Sequence, residues 1–283
     1  MKFSQPGVDV FVPDAMPLDK ALARTTHLAV GAHQDDLEFM ALHGILECYQ
    51  RSDAWFAGIT VTDGRGSSRT GPYAQHTDDQ MQEVRKHEQR KAAYVGEYAA
   101  IIQLDHPSSA VKTAKREPVV ADLLQVLTRM QPRVVYTHNL ADKHDTHIGV
   151  TMAVIEAIRQ LAPEKRPEKL YGCEIWRGLD WMVDTDKVLL DVSQREGLGS
   201  ALTGIFDSQI SGGKRYDLAT AGRKRANATY LASHHSDNAR MLEYAMDLTP
   251  LITDPGLSPE AFIEGFLTRF TEDVRTRLKL RLK

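Results

Sequence analysis

Short apolar runs alternate with longer amphipathic stretches between residues 27 and 162, and this alternation restricts the fold more than any other feature of the chain. Four apolar runs have the length and composition of buried strands: HLAVGAH (27–33), AWFAGITVTD (54–63), AAIIQL (99–104) and RVVYTH (133–138). The stretches that follow them predict helices over 36–50, 79–97, 117–130 and 146–162. Because apolar strands alternating with helices are typical of parallel sheets covered on both faces, we predict an α/β fold with a Rossmann-like, mostly parallel sheet.

The chain after residue 162 is less regular and predicts an extension of the same domain. Two further strands are predicted, KLYGCEIW (169–176) and KVLLDVS (187–193), together with helices at 195–207, 216–232 and 258–280. The sequence contains no internal repeat and no clear linker. We therefore expect one domain over residues 1–283, with the Rossmann-like core at 27–162 and the C-terminal extension at 163–283.

Composition and charge exclude several classes of protein. The net charge of the 283 residues is −3 with a pI near 6.4, which gives no indication of a nucleic-acid partner. No run approaches the roughly 20 apolar residues of a membrane span, and the first residues lack a signal-peptide pattern, so we expect a cytoplasmic protein. The two cysteines, Cys48 and Cys173, follow no CxxC spacing and are predicted to be reduced core residues.

Two polar clusters follow predicted strands and are expected to meet. GAHQDDLE (31–38) comes at the end of the first strand, and THNLADKHDTH (137–147) comes at the end of the fourth. Ligands of open parallel sheets bind beyond the carboxyl ends of the strands, where both clusters lie. Together the clusters offer five candidate site residues: His33, Asp35, Asp36, His144 and His147.

This combination of imidazole and carboxylate groups indicates a divalent metal. Catalytic zinc takes three protein ligands and leaves one position for water, and His33, Asp36 and His147 would supply two neutral donors and one anion. Fe²⁺, Mn²⁺ and Co²⁺ stay open alternatives because these ligands accept several metals. The simpler interpretation is that Asp35 or Asp36 caps the helix that begins there.

The two clusters resemble the signatures of the PIG-L or LmbE-like zinc-dependent N-deacetylases. The family's AHPDD-x-E motif is similar to Ala32–Glu38, and its D-x-H-P-D-H motif is similar to Asp142–His147. Two further segments resemble the family between these signatures, namely TDGRGSS (62–68) and VRKHEQRKAAYVGEY (84–98). The resemblance implies a hydrolase that removes an N-acetyl group from an amino sugar or its conjugate, so its partner would be a small-molecule substrate.

The resemblance also implies a role for each matched residue. His33, Asp36 and His147 would bind the metal, Asp35 would be the general base towards a metal-bound water, and a protonated His144 would face the developing oxyanion. Arg85 would reach the substrate. Behind these groups, we expect Glu38 to orient His33 or His147, and Asp142 or Asp145 to tune His144.

Three departures from the family pattern bear on these expectations. Gln34 replaces a proline, Thr146 replaces an aspartate, and Ser108 stands where an acidic residue is common. The changes at positions 34 and 146 leave open a family member that has lost catalysis and only binds sugars. The set of two histidines and one carboxylate by itself also fits a non-haem iron oxygenase. The GRGSSRTG loop (64–71) is predicted to form a rim over the site. We expect Trp176 or Trp181 either to stack on a sugar or to pack in the core. Whether the protein forms a homo-oligomer is left open.

Overall fold

The eight strands found within residues 1–282 form one sheet. The computed structural model describes residues 1–282. The strands are β1 (Asp9–Phe11), β2 (His27–Gly31), β3 (Phe56–Thr62), β4 (Ala100–His106), β5 (Val134–His138), β6 (Lys169–Cys173), β7 (Val188–Asp191) and β8 (Leu242–Asp247). Their order across the sheet is β1-β4-β3-β2-β5-β6-β8-β7. The five central strands from β4 to β6 are parallel, whereas β1 and β8 run antiparallel to their neighbours. The predicted α/β fold with a mostly parallel sheet is confirmed.

Eleven α-helices surround the sheet over the described residues. They are α1 (Leu18–Ala23), α2 (Asp36–Met40), α3 (Leu42–Cys48), α4 (Asp78–Val95), α5 (Glu117–Met130), α6 (Asp145–Arg159), α7 (Glu196–Gly204), α8 (Asp207–Ile210), α9 (Tyr216–Tyr230), α10 (Thr249–Thr253) and α11 (Pro259–Lys279). Two apolar clusters form the core. One includes buried side chains from α1, α5, α6 and α10, and the other includes buried side chains from α2, α3, α4 and α7. No helix within residues 1–282 is long and apolar enough to cross a bilayer.

The structure departs from the sequence-based elements in a few places. The helix predicted over 36–50 is two helices, because the backbone of Ala41 leaves the helical region with φ −125° and ψ 27°. The helix predicted over 195–207 ends at Gly204, and α8 begins separately at Asp207. Strands β1 and β8 and helix α1 were not predicted. Strand β8 is buried from Leu242 to Met246. Because both of its faces are covered, the sequence LEYAMD lacks the regular polar alternation of a half-exposed strand.

The cysteine prediction is confirmed: Cys48 and Cys173 are both free and buried. Burial raises the pKa of the Cys48 thiol to about 12 and raises that of Cys173 well above its usual range. Neither group is therefore a thiolate at neutral pH.

A buried carboxylate on α5 holds the N-terminal segment against the sheet. Asp122 accepts hydrogen bonds from the backbone N–H of Ser4 at 3.0 Å and from the Ser4 hydroxyl. Its Oδ2 also lies 2.9 Å from Nε2 of His106 at the end of β4. Burial works to raise the pKa of Asp122, but the hydrogen bonds from His106 and Ser4 outweigh it and hold the pKa below its usual range.

We expect Asp122→Asn to lower the free energy of unfolding by about 1–3 kcal/mol at pH 7, because it leaves buried donors without an ionised acceptor. A group whose pKa is lower in the folded state stabilises the protein at pH values above its unfolded pKa. The difference in unfolding free energy between wild type and Asp122→Asn should therefore narrow as the pH falls below about 4. Urea unfolding of both proteins across this range measures the effect. Asp180→Asn, at a side chain that is 83% exposed, is the control. An equal decrease in the free energy of unfolding for Asp122→Asn and Asp180→Asn would contradict the prediction.

Candidate metal centre and active site

Both sequence clusters lie at the point where the strand order of the sheet reverses. Strand β2 lies between β3 and β5, and the chain builds β3 and β4 on one side before it returns to β5 on the other. Such a switch point opens a crevice at the carboxyl ends of the strands. His33–Asp36 follow β2, and Asn139–His147 follow β5 into the first turns of α6. The predicted meeting of the two clusters is therefore observed.

The three predicted metal ligands converge with the spacing of a coordination site. Nδ1 of His33 lies 3.2 Å from Oδ2 of Asp36 and 3.3 Å from Nε2 of His147. Nε2 of His147 lies 3.5 Å from Oδ1 of Asp36. Ligand atoms of a tetrahedral centre with bonds of about 2.0–2.1 Å lie roughly 3.3–3.4 Å apart. The three side chains are therefore close enough to share a cation, with His33 nearest to Oδ2 of Asp36 and His147 near its Oδ1. His33, His144 and His147 form a second group of potential ligands, whose atoms lie within 4.8 Å of one another.

The electrostatics of the three side chains suit a cation. Burial lowers the pKa of His33 and of His147, so both imidazoles are neutral and keep a free lone pair. Burial works to raise the pKa of Asp36, but the three surrounding histidines hold it well below its usual range. The backbone N–H of His33 also donates to Asp36 Oδ2 at 2.6 Å. The site therefore holds two neutral donors and one carboxylate.

Asp142 orients His147 from behind. Its Oδ2 lies 3.0 Å from Nδ1 of His147, which leaves Nε2 pointing at Asp36 and His33. The other oxygen accepts hydrogen bonds from the backbone N–H groups of Lys143 and Arg177. Carboxylates in this position fix the tautomer and the ring orientation of a metal-binding histidine.

We expect Asp142→Asn to lower the affinity of the site for Zn²⁺ by about 10–100-fold while the fold is retained. The reason is that a neutral amide holds the His147 ring less firmly and makes Nε2 less basic. Isothermal titration of the metal-free protein with Zn²⁺ measures the change, with Asp180→Asn as the control. An unchanged dissociation constant would show that the carboxylate is dispensable.

A fourth histidine, His138, belongs to the cluster, although no role was predicted for it. Its Nε2 lies 3.4 Å from Asp36 Oδ2, and its ring stacks on that of His147 at 3.8 Å between centroids. Asp36, His138 and His147 are close enough to form an alternative ligand group. However, the backbone N–H of Ala32 donates to His138 Nε2 at 2.9 Å, so that lone pair is already used. The position of His138 on the last residue of β5 was the signal that could have identified it.

Asp35 has an unusual backbone and no capping role. Its φ of 93° lies in the left-handed region, where a non-glycine residue is strained by about 1–3 kcal/mol. Its side chain makes no hydrogen bond to the start of α2, so the capping interpretation is wrong for Asp35. The carboxylate is buried and lies 3.4 Å from the Arg85 guanidinium. Burial raises its pKa well above the usual range, although Arg85 opposes the shift.

Arg85 on α4 is buried and holds the loops around Asp35. Its guanidinium donates to the backbone carbonyl of Gln34 and to the hydroxyl of Ser67. Arg85 also lines the cavity of the site. Its contact with a substrate stays a prediction. Residues behind it, Glu88 and Gln89, bond to Ser208 and to the Asp35 backbone N–H, respectively.

Glu38 does not contact the histidines that it was expected to orient. Its Oε1 accepts hydrogen bonds from Gln89 at 2.8 Å and from the Tyr98 hydroxyl at 2.7 Å. Burial raises the pKa of Glu38 to about 7, despite these two hydrogen bonds. Glu38 therefore links α2 to Gln89 on α4 and to Tyr98.

His144 has no carboxylate partner. Asp145, the first residue of α6, is exposed, and Asp142 is engaged with His147, so neither bonds to His144. Nδ1 of His144 and the hydroxyl of Thr146 are both buried without a hydrogen-bond partner in residues 1–282. Burial and the neighbouring histidines lower the pKa of His144 to about 4. The lowered pKa favours a neutral His144 imidazole at pH 7, and the protonated His144 facing the oxyanion stays a prediction.

Gln34, which stands where the family pattern has a proline, tethers the loop that carries Asp35 to the sheet. The side chain is buried, and Nε2 donates to the Thr62 carbonyl at 3.3 Å and to Gln103 Oε1 at 3.2 Å. Gln103 in turn donates to Asp9 on β1 at 3.0 Å. The loop that carries Asp35 is therefore bonded across three strands of the sheet.

We expect Gln34 and Gln103 to be energetically coupled. In a double-mutant cycle with Gln34→Leu and Gln103→Leu, the coupling energy should fall between about 0.5 and 3 kcal/mol, because either single change removes one hydrogen bond from the buried amide of the other residue. Chemical unfolding of the four proteins measures it. Gln34→Leu combined with Gln125→Leu, whose amide lies at the surface near Lys2, is the control pair. If the losses of unfolding free energy at Gln34 and Gln103 are additive, the two side chains are not coupled and the prediction is wrong.

The candidate site opens into a cavity of about 410 Å³. One wall is formed by Gly64 and by Gly66–Ser68 of the predicted rim, and this loop is held by a hydrogen bond from the Thr70 N–H to the Gly212 carbonyl. The opposite wall contains Phe39, Trp176 and Tyr216, whose rings contact one another through Tyr216. Trp181 lies outside the cavity and packs edge-on against Phe270.

The fold and the site define a class: an α/β protein with a His–Asp–His candidate metal centre at the switch point of its sheet. The model of the PIG-L family, described as GlcNAc-PI de-N-acetylase, matches residues 28–158. This segment carries both signatures and is slightly less than half of the chain. The resemblance to this family is confirmed by the match over residues 28–158. No curated protein matches the sequence significantly.

Several solved structures share the fold across most of the chain. The conserved protein TT1542 from Thermus thermophilus is 19% identical with a TM-score of 0.60, over 83% of this chain and 99% of that one. GalB, the 4-carboxy-2-hydroxymuconate hydratase from Pseudomonas putida KT2440, is 19% identical with a TM-score of 0.62, over 83% and 100%. The N,N'-diacetylchitobiose deacetylase from Pyrococcus horikoshii is 14% identical with a TM-score of 0.59, over 82% and 87%. At these identities the likeness concerns the fold.

Proposed function

We propose that this protein is a metal-dependent hydrolase that removes an N-acetyl group from an amino sugar or an amino-sugar conjugate. The observation that carries the proposal is the spacing of 3.2–3.5 Å among the ligand atoms of His33, Asp36 and His147, with Asp35 beside them. The PIG-L match over residues 28–158 and a structural neighbour that is a diacetylchitobiose deacetylase support an N-deacetylase.

The residues present fit a divalent cation. Two neutral imidazoles and one ionised carboxylate leave a site with one negative charge, and Asp142 holds one of the imidazoles in place. Such donors suit Zn²⁺ and also accept Fe²⁺, Mn²⁺ or Co²⁺. When bound, the cation would supply Lewis acidity towards water and the acetyl carbonyl.

Asp35 is proposed as the general base. Its buried carboxylate, with a pKa well above the usual range, is suited to take a proton from the attacking water and to release it again. Arg85 keeps the carboxylate in place through the loop of Gln34. After the C–O bond forms, Asp35 would return the proton to the nitrogen as the amide C–N bond breaks, which gives acetate and a free amine.

His144 is proposed to face the developing oxyanion as a neutral hydrogen-bond donor. Its pKa of about 4 excludes a substantial imidazolium population at pH 7 in the protein without metal. A neutral imidazole can polarise a carbonyl when its N–H points at the oxygen. The unpartnered Nδ1 of His144 would carry or accept a proton there according to its tautomer.

A screen of N-acetylated amino sugars for acetate release, with metal analysis of the same sample, tests the proposal. We expect roughly one metal ion per chain, acetate and free amine in equal amounts, and loss of both products when a chelator removes the metal. A metal-free preparation with full activity would overturn the proposal.

A second function, sugar binding without catalysis, is favoured by one observation. Thr146 leaves His144 without the carboxylate that the family pattern expects, so the oxyanion contact is weaker than a charged one. Calorimetry with an N-acetyl sugar separates the two functions: heat of binding in a metal-loaded sample that releases no acetate would indicate a binder. The one-domain organisation, a cytoplasmic location and the oligomeric state stay predictions.

A further inference from the structure

The long helix α11 is packed against the body of the protein mainly over its first half. Phe266 is buried, and Phe262 and Ile263 lie against the apolar core. The Arg269 guanidinium donates a hydrogen bond to Asp186 at 2.6 Å. After this residue, no side chain of α11 belongs to either core cluster. The second half therefore gains little stability from the body, although a helix shorter than about 12–15 residues is marginal in water by itself.

A row of apolar side chains runs along the uncovered part of α11. The exposed fractions are 48% at Leu267, 38% at Phe270, 38% at Val274 and 57% at Leu278. At 3.6 residues per turn, Leu267, Val274 and Leu278 lie within an arc of about 40°. Phe270 stands at the edge of this arc, against Trp181. We call these four residues the apolar stripe. Single exposed apolar residues are ordinary, whereas a contiguous row on one face of a helix indicates a binding surface.

The charges of α11 are segregated along the helix. The part before Val274 carries four carboxylates and one arginine, whereas residues 275–281 carry four cations and no carboxylate. The ion pairs of this segment within residues 1–282 are Arg269–Asp186 and Arg277–Asp273. Glu264 and Arg281, which border the apolar stripe at its two ends, are exposed and take no part in them. The stripe therefore has an acidic end and a basic end.

This pattern favours one occupant over the others. An anionic lipid surface would attract the basic end and repel the acidic end, so it fits only half of the helix. A second α11 in antiparallel order fits both ends, because its basic end meets the acidic end of the first. Such a contact is related by a twofold axis and uses the same patch on both chains.

We propose that α11 is an interface between two copies of this chain, which pair through the apolar stripe in antiparallel order. With the axis close to Val274, Leu267 of one copy packs beside Leu278 of the second copy. The same register brings Glu264 of one copy to Arg281 of the second. Apolar burial would stabilise the centre of the contact, and the two charge pairs would fix its direction.

The contact is at the small end of specific interfaces, because residues 264–281 span only about 26 Å of helix. We therefore expect a reversible dimer with a Kd of the order of 1–100 µM. Analytical ultracentrifugation between about 1 and about 500 µM should show the mass rising from 31.7 kDa towards twice this value.

Two leucine variants test the apolar stripe. Leu278→Ser should raise the Kd of the dimer by about tenfold or more, because it removes an apolar side chain from the contact on both copies. Leu218→Ser is the matched control, since Leu218 is 60% exposed on α9 and lies outside the stripe. It should leave the Kd unchanged. Circular dichroism of each protein verifies that the fold is retained.

A charge exchange tests the antiparallel order. Glu264→Arg and Arg281→Glu should each raise the Kd by about 3–30-fold, and the double variant should return it to within about threefold of wild type. The two positions are about 26 Å apart along one helix, so no contact within a chain explains this rescue. Glu272 lies on another face of α11, and Glu272→Arg should therefore not rescue Arg281→Glu.

The outcomes decide the inference without reference to catalysis, because no residue of the stripe lines the active-site cavity. A wild-type protein that stays monomeric up to about 500 µM, an unchanged Kd in Leu278→Ser, or a double variant as weak as the single ones would overturn it. If wild type forms a larger assembly, Leu278→Ser should halve its mass, and an unchanged mass would contradict the interface. Flotation with vesicles of equal phosphatidylserine and phosphatidylcholine should leave wild type unbound. Binding that Leu278→Ser abolishes would assign the stripe to lipid instead.

Discussion

Asp35→Asn is expected to lower kcat for acetate release by about 10²–10⁴-fold while the metal content of the protein stays at the wild-type level. The amide has the shape of the carboxylate but cannot take a proton from water, and this range is typical for the loss of a general base. The converging ligand atoms belong to His33, Asp36 and His147 and not to Asp35. Replacing Asp35 should therefore leave the metal centre intact. Acetate release and elemental analysis of the same sample measure both quantities.

Asp63→Asn is the matched control for this experiment, because Asp63 also lines the cavity but is paired with Arg65 away from the ligands. We expect a change in kcat of less than about tenfold. Asp35→Ala should behave like Asp35→Asn. If either Asp35 variant releases acetate at nearly the wild-type rate, the base lies elsewhere, and His144, which lines the same cavity, would be the next residue to test.

His147→Ala is expected to lose both the bound metal and more than about 10³-fold of the activity. The change removes one of three ligands and leaves His33 and Asp36, which cannot hold a divalent ion firmly by themselves. Treatment of the wild-type protein with a chelator should produce the same loss, and added Zn²⁺, Fe²⁺, Mn²⁺ or Co²⁺ should restore activity in wild type but not in the variant. Elemental analysis and acetate release are the measurements.

His234→Ala, at an exposed histidine outside the cavity, serves as the control and should keep metal and activity. Circular dichroism separates loss of metal from loss of fold. Retention of stoichiometric metal in a folded His147→Ala protein would mean that other residues, such as His33, Asp36 and His138 together, form the true centre.

Much of the parallel core could be predicted because its strands are continuous apolar runs and its helices have a clear period. The helix predicted at 117–130 has these bounds in the structure, where Pro118 occupies the first turn. The two clusters could be assigned to one site because carboxyl ends of neighbouring parallel strands meet at one edge. The antiparallel strand β8 was missed, since its pairing with β6 and β7 is set by tertiary contacts and leaves no local pattern.

By itself, the sequence determined the α/β architecture and the groups that stand after β2 and β5, because strand periodicity and motif spacing are local properties of the chain. Only the tertiary structure decided how these groups are used. It placed Asp142 on His147 and left His144 without a carboxylate. Hydrogen-bond partners, burial and the resulting pKa shifts depend on residues that are distant in the sequence, so no local pattern encodes them.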